Sequence, residues 1–350
     1  MYIYILLIIL TGVIFLFRSN FTQKQVKILA FVLYILLSII AGFRYMVGTD
    51  FSLYQGIYYS SLGIVYSSNF IEIGYLYLNK IFLLIGFDFQ FFLVFLALIV
   101  NGLFILGGFK LSRDPLAVIF FYVTSGIYFS TFNIIRQSIV MAIVFLLLVL
   151  LFKNRKYLFT ITTIPLYAFH RSVLVVISFA LLFYASINPV LFLAVLLLVI
   201  LVLYLPFIND LVLIIFNFLP EKYDMYANQI LNSDGTELIN LIMPTIILMF
   251  ILTNYKKMVK LDTSTKGLIN IFYVYYFIVL LSTKFLLFYR VSNYFEIIQL
   301  LILPQIILLF RGKDKKLVNV VIALCFITYI IGKLLAGHYG VVPYQFKIGF

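Results

Sequence analysis

The sequence predicts an all-α, polytopic integral membrane protein with about twelve transmembrane helices. Three observations predict it. First, the 350 residues are 65% hydrophobic and only 11% charged, with a mean hydropathy of +1.17; that leaves too little polar surface to clothe a water-soluble domain. Second, the apolar residues come in long runs interrupted by charges and turn residues. Third, the basic residues gather at only some of these interruptions, the asymmetry that orients membrane proteins.

Cut at charges and turns, the runs read as spans near 1–17, 26–43, 89–109, 115–131, 136–152, 157–169, 173–186, 188–205, 239–253, 267–285, 291–309 and 317–335. Several fall short of the roughly twenty residues that a straight span prefers. The first run lacks the basic flank and small-residue cleavage site of a signal peptide, so it is expected to be a retained span. No internal repeat is evident, and residues 1–350 read as a single polytopic membrane domain. The longest extracytoplasmic loop, near 206–238, is too short to fold separately.

Five basic clusters set the orientation: Arg18/Lys24/Lys27, Lys110/Arg113, Lys153/Arg155/Lys156, Lys256/Lys257/Lys260/Lys266 and Arg311/Lys313/Lys315/Lys316. All are cytoplasmic under the positive-inside rule. They hold sixteen basic residues against three acids, while the rest of the chain balances nine against nine, so the whole net charge of +13 lies on one side. In a soluble protein that charge would suggest nucleic acid; here it reports topology, and no nucleic-acid partner is expected. Keeping the second and third clusters on the same side makes 71–87, EIGYLYLNKIFLLIGFD, a short re-entrant or interfacial helix at the outer face. Both termini then come out extracytoplasmic.

Some chemistries are excluded by composition. Cys325, the single cysteine, leaves no disulfide or cysteine-based metal site. His170 and His338 are the only histidines, too few for a multi-histidine cage. No metal and no cofactor are expected.

What remains is a set of charges at the outer ends of spans. An arginine in or beside an apolar span costs about 2.5–3.5 kcal/mol on insertion scales, so it has a partner or a task. Arg136 opens a long run, in FNIIRQSIVMAIVFLLLVLL, with Asn133 and Gln137 adding hydrogen-bonding groups. Arg44 stands in GFRYMVGTDFSLY, Arg171 follows His170 in AFHRS, and Arg290 lies in FLLFYRVSNYF. Snorkelling to outer headgroups is the plain alternative for Arg44 and Arg136. Together, outward arginines argue for a polyanion, because guanidinium forks match phosphate oxygens; a diphosphate is the multi-oxygen anion met at a membrane surface. Asp50, His170 and Glu72 are the candidate bases, in that order. Each has a bland alternative: Asp50 as a helix cap or a partner of Arg44, Glu72 at a positive helix end, His170 as a turn residue. Tyr45, Phe51, Tyr54, Tyr58 and Tyr59 suit stacking on sugar rings, and an interfacial belt explains them equally well. Tyr54 and Gln137 are the glycan-binding candidates.

The segments GFRYMVGTDFSLY, IEIGYLYLNKIF, FNIIRQSIVMAI, FHRS and YRVSNYFE, in that order, resemble the EpsG family of Wzy-like polysaccharide polymerases. The resemblance runs from about 40 to 300. It implies a GT-C-like glycosyltransferase working on undecaprenyl-diphosphate-linked oligosaccharide at the extracytoplasmic face of the cytoplasmic membrane, in synthesis of O-antigen, capsule or exopolysaccharide. Membrane lipid and a chain-length regulator protein are the partners it implies. In that chemistry Arg44, Arg136, Arg171 and Arg290 would hold the diphosphate, and Asp50, His170 or Glu72 would take the proton of the acceptor hydroxyl. A lipid-linked-oligosaccharide flippase or other transporter is one rival, which should place charges deep in several spans. An O-antigen ligase with the same donor is the other.

Overall fold

The computed structural model describes residues 1–63, 71–207, 210, 214 and 236–346. Among these residues the chain is helical, without strands; one isolated bridge pairs Arg44 with Phe346. The chain forms two compact units, Met1–Ile177 with Phe310–Phe350, and Ser178–Leu309.

The first unit contains α1 (Tyr2–Phe17), α2 (Gln23–Gly42), α3 (Phe51–Ser60), α4 (Ile73–Leu84), α5 (Phe89–Leu111), α6 (Pro115–Thr124), α7 (Ile127–Ser130), α8 (Ile135–Phe152) and α9 (Lys156–Thr163). Two 3-10 segments follow, Ile164–Ala168 and Arg171–Ile177. Polar residues at the interruptions start these helices. Thr22 and Gln25 form a capping box on α2, and the Asp88 carboxylate accepts the Phe91 N–H at 2.8 Å. Asp114 caps α6 just ahead of Pro115, whose fixed φ suits a first helical position. α5 packs against α2, α6 and α8. Its buried Asn101 accepts from Tyr122 at 2.9 Å and donates to Ser38 at 3.4 Å, so these three polar side chains are paired within the apolar core.

The second unit contains α10 (Ser178–Leu182), α11 (Pro189–Leu203), α12 (Ile239–Val259), α13 (Thr263–Ser282), α14 (Leu287–Glu296) and α15 (Gln299–Leu308). α13 packs against α12, α14 and α15. Phe192 stacks on its Tyr273 with centroids 3.9 Å apart, and its Asn270 donates to the Leu182 and Ala185 carbonyls at 3.0 and 2.9 Å. The chain then returns to the first unit through α16 (Gly312–Leu335).

Seven helices among the described residues are long and apolar enough to cross a membrane: α1 with its 3-10 extension to Asn20, α2, α5, α8, α12, α13 and α16. The bent pair α14 and α15, at 46°, would make eight if it is one span. Against the about twelve spans expected, the described residues thus hold seven such helices, or up to eight. The other four apolar runs are interrupted or short as helices. The 115–131 run breaks at Gly126, whose φ of 102° stops α6 and starts α7. The 157–169 run is an eight-residue helix followed by a 3-10 segment containing Pro165, the 173–186 run is mixed 3-10 and α, and 188–205 gives a fifteen-residue helix. In place of 71–87 stands α4, twelve residues or about 18 Å long, well short of a hydrocarbon core of about 30 Å. Most of the expected 206–238 loop lies outside the described residues.

Candidate active site

Three breaks in helical structure meet in the first unit: the start of α4, the start of α8, and the junction between the two 3-10 segments. Glu72 is the N-cap residue of α4, yet its side chain makes no cap bond. It turns instead to the other two breaks. Oε2 pairs with Nη1 of Arg136, and Oε1 lies 3.2 Å from Nδ1 of His170 and accepts the backbone N–H of Arg171 at 3.3 Å. The side chains of Arg136, Glu72 and His170 retain 20%, 9% and 19% of their exposure. The cluster is thus largely desolvated, and still reachable.

Packing explains why these breaks coincide. A Cβ on Gly74 would lie 2.8 Å from the Ala168 carbonyl oxygen and 3.1 Å from the Phe169 ring. Only glycine lets α4 come this close to the segment that ends at His170. Tyr75, next in the chain, is fully buried, and Tyr54 packs on it edge-on at 5.9 Å. The Arg136 guanidinium carbon stands 5.9 Å from the Tyr54 ring centroid, at the outer limit of a cation–π contact. The E-x-G-Y segment is therefore an acid, a close-approach glycine and a buried aromatic acting on one site.

The electrostatics follow from these contacts. Burial pushes the Glu72 carboxyl up, but the hydrogen bond from His170 and the charge of Arg136 outweigh it, and its pKa falls to about 2. Glu72 is then an acceptor-only anion near neutral pH. In a neutral imidazole, a carboxylate facing Nδ1 favours the tautomer protonated there.

The G-T-D loop is held separately. Gly48 has a φ of 99°, and a Cβ there would lie 2.6 Å from the Asn133 Oδ1. That oxygen accepts the Thr49 N–H at 2.8 Å, while Asn133 Nδ2 donates to the Tyr339 carbonyl at 2.6 Å. Gly48 and Tyr45 donate their N–H groups to the carbonyls of Gly340 and Gln345, both at 3.0 Å. Asn133 thus ties the loop to the segment after α16, three residues ahead of Arg136.

The structure brings together Glu72, Arg136, His170, Tyr54 and the Arg171 backbone. Arg44 is only 3% exposed and turns inward, donating to the carbonyls of Ala41 and Phe132 and lying 4.7 Å from the Phe132 ring centroid. It pairs with no described carboxylate, and burial pulls its pKa down to about 10. Asp50 is half-buried and accepts the Thr49 hydroxyl at 3.1 Å; it makes no ion pair with Arg44 and no side-chain cap bond. Gln137 is 2% exposed within α8. Arg290 is exposed on α14 of the second unit. Sequence reasoning passed over Gly74, Tyr75 and the joining role of Asn133. The E-x-G-Y spacing was the available signal for the first two; Asn133 stood out as a polar neighbour of Arg136, but its partners lie far away in the chain.

The fold and this site define a polytopic helical membrane protein with a carboxylate–guanidinium–imidazole cluster where several helices begin or end. Residues 27–346 match the EpsG family model, and the chain belongs to the EpsG family, whose members are Wzy-like polysaccharide polymerases. No curated protein and no solved structure matches the chain.

Proposed function

We propose that this polymerase joins undecaprenyl-diphosphate-linked oligosaccharide repeat units at the extracytoplasmic face of the cytoplasmic membrane, in O-antigen, capsule or exopolysaccharide synthesis, within a GT-C-like architecture. The observation that carries the reading is the Glu72–Arg136–His170 cluster. Its placement supports the face: α8 begins beside Arg136 and ends against Lys153, Arg155 and Lys156, one of the basic clusters that the positive-inside rule assigns to the cytoplasm.

Each residue has a distinct part. The His170 Nε2 accepts the proton of the acceptor sugar's hydroxyl as that oxygen bonds to the anomeric carbon of the donor. The bond from that carbon to the diphosphate oxygen breaks, and the diphosphate leaves with its electron pair. Arg136, with Arg171 beside it, balances the charge on the leaving group. Glu72, too acidic to be the base, holds His170 and Arg136 in place and stabilises the imidazolium as it forms. Tyr54 offers a ring face to sugar. Arg44, closed in among carbonyls, holds its own loop, and Arg290 is a separate diphosphate candidate on the second unit. Asp50 is the competing base.

The test is the surface glycan of cells lacking the gene, complemented with wild type, Arg136→Ala, His170→Gln or Asp50→Asn at matched protein levels. A ladder with the wild type and single repeat units with Arg136→Ala and His170→Gln is the expected result. Loss with Asp50→Asn and retention with His170→Gln would transfer the base role to Asp50. Failure of even the single unit to reach the surface would favour a flippase or a ligase.

A further inference from the structure

At the far end of α2 from Arg44, the first unit carries a groove of about 370 Å³ between α2 and α5, bordered by Lys27, Phe31, Tyr34, Gly102, Leu106 and Phe109. That volume lies within the roughly 300–1,000 Å³ of small-ligand sites. The two helices run antiparallel. Gly42 faces Val94, Ser38 bonds Ala97 and Asn101, and a Cβ on Gly102 would lie 3.3 Å from the Tyr34 ring. Both helices qualify as membrane spans, so the groove opens to hydrocarbon. Its walls are apolar and partly uncovered, with Phe31 62% and Leu106 44% exposed.

Two polar groups break that apolarity, one at each end of the α2 wall. Lys27 stands at the mouth, near Lys24, Lys110 and Arg113, and forms no ion pair with a described residue. Tyr34 lies seven residues on, about 10 Å along the axis. Helical side chains lean toward the N-terminus, which carries its ring back toward Lys27. Its hydroxyl makes no hydrogen bond with a described residue. Without a side chain on Gly102, the groove stays open beside that hydroxyl.

We propose that this groove holds one anionic diacyl phospholipid of the cytoplasmic leaflet. The Lys27 ammonium meets the headgroup phosphate, and an acyl chain runs inward along Phe31 and Leu106 toward Tyr34 and Gly102. The cation at the mouth selects the headgroup; a zwitterionic lipid carries an ammonium of its own, which weakens the attraction.

The experiment is native mass spectrometry of the full-length protein released from bilayers of equal parts phosphatidylglycerol and phosphatidylcholine. The wild type should retain one phosphatidylglycerol. Lys27→Gln should lower that retention about fivefold, the equivalent of about 1 kcal/mol for one basic residue at an anionic surface. Lys27→Arg should restore it, and Gly102→Leu should abolish it by filling the groove. Lys316→Gln, an exposed basic residue in another cytoplasmic cluster, should leave it unchanged. Equal retention of the two lipids would overturn the proposal, as would an equal loss with Lys316→Gln. Displacement of phosphatidylglycerol by a stoichiometric amount of a polyprenyl phosphate would also overturn it, by making the groove a site for the substrate's own lipid. The Lys27→Arg arm separates charge recognition from misfolding.

Discussion

Among the described residues of the first unit, two arginine–carboxylate pairs are built to opposite ends. In one, Arg18 after α1 donates from Nε to Asp114 at 2.5 Å, from Nη1 to the Phe15 carbonyl at 2.5 Å and from Nη2 to Asn319 at 3.1 Å, with its guanidinium carbon 4.0 Å from the Phe15 ring centroid. Every nitrogen is used, and α1, α6 and α16 are pinned together. In the other, the carboxylate is the saturated partner: Glu72 serves Arg136, His170 and a backbone N–H, while Arg136 and His170 keep a fifth of their side-chain exposure. A pair that consumes its cation locks helices. A pair that saturates its anion leaves the cation and the imidazole partly exposed.

The largest effects should come from unpairing each cluster. Arg18→Ala leaves Asp114 partly buried without its partner, and Glu72→Ala leaves Arg136 so; removing one member of a buried pair costs about 3–5 kcal/mol, readable as thermal unfolding in detergent. The glycan readout should then split them. At matched protein levels Arg18→Ala keeps the ladder and Glu72→Ala loses it. Next comes His170→Gln, which should abolish the ladder while lowering stability by only about 1 kcal/mol, the scale of one hydrogen bond; an unfolding shift as large as that of Glu72→Ala would make His170 a structural residue. Asn133→Ala should cost about 1 kcal/mol. Asn133→Asp keeps the acceptor for Thr49 and loses the donor to Tyr339, so stability restored by Asp shows that the loop contact matters more than the tail contact.

Acid gives the gentlest test. The Glu72 pKa is depressed in the folded state, so the unfolded chain takes up the proton first, and the stability from this group is complete above about 4.5 and lost as pH falls through about 2. Unfolding temperatures of wild type and Glu72→Gln should converge as pH falls from about 4.5 toward about 2.

Much of this was legible in the chain. The basic clusters and apolar runs marked out the long helices, because hydropathy and charge act locally and are written in consecutive residues. The span count was not, because an apolar run continues unchanged in composition through Gly126 and Pro165 while the helix does not. Among the site residues, Arg136, His170 and Glu72 could each be named from their places beside apolar runs. Their pairing could not, because Glu72 is 64 residues from one and 98 from the other, and no spacing rule reaches that far. The direction of Arg44 was hidden for a related reason. An arginine at a span end reads as outward, and only the position of Phe132 reveals that this one is folded inward.

Gly74 carries no charge, donor or ring, yet it has a genetic consequence. An allele changing it to alanine adds one carbon, aimed at the Ala168 carbonyl 2.8 Å away. That wedge pries α4 off the turn bearing His170 while deleting neither Glu72 nor His170. Suppressors of such an allele should map to the opposing segment, around Ala168 and Phe169, rather than to the charged residues themselves.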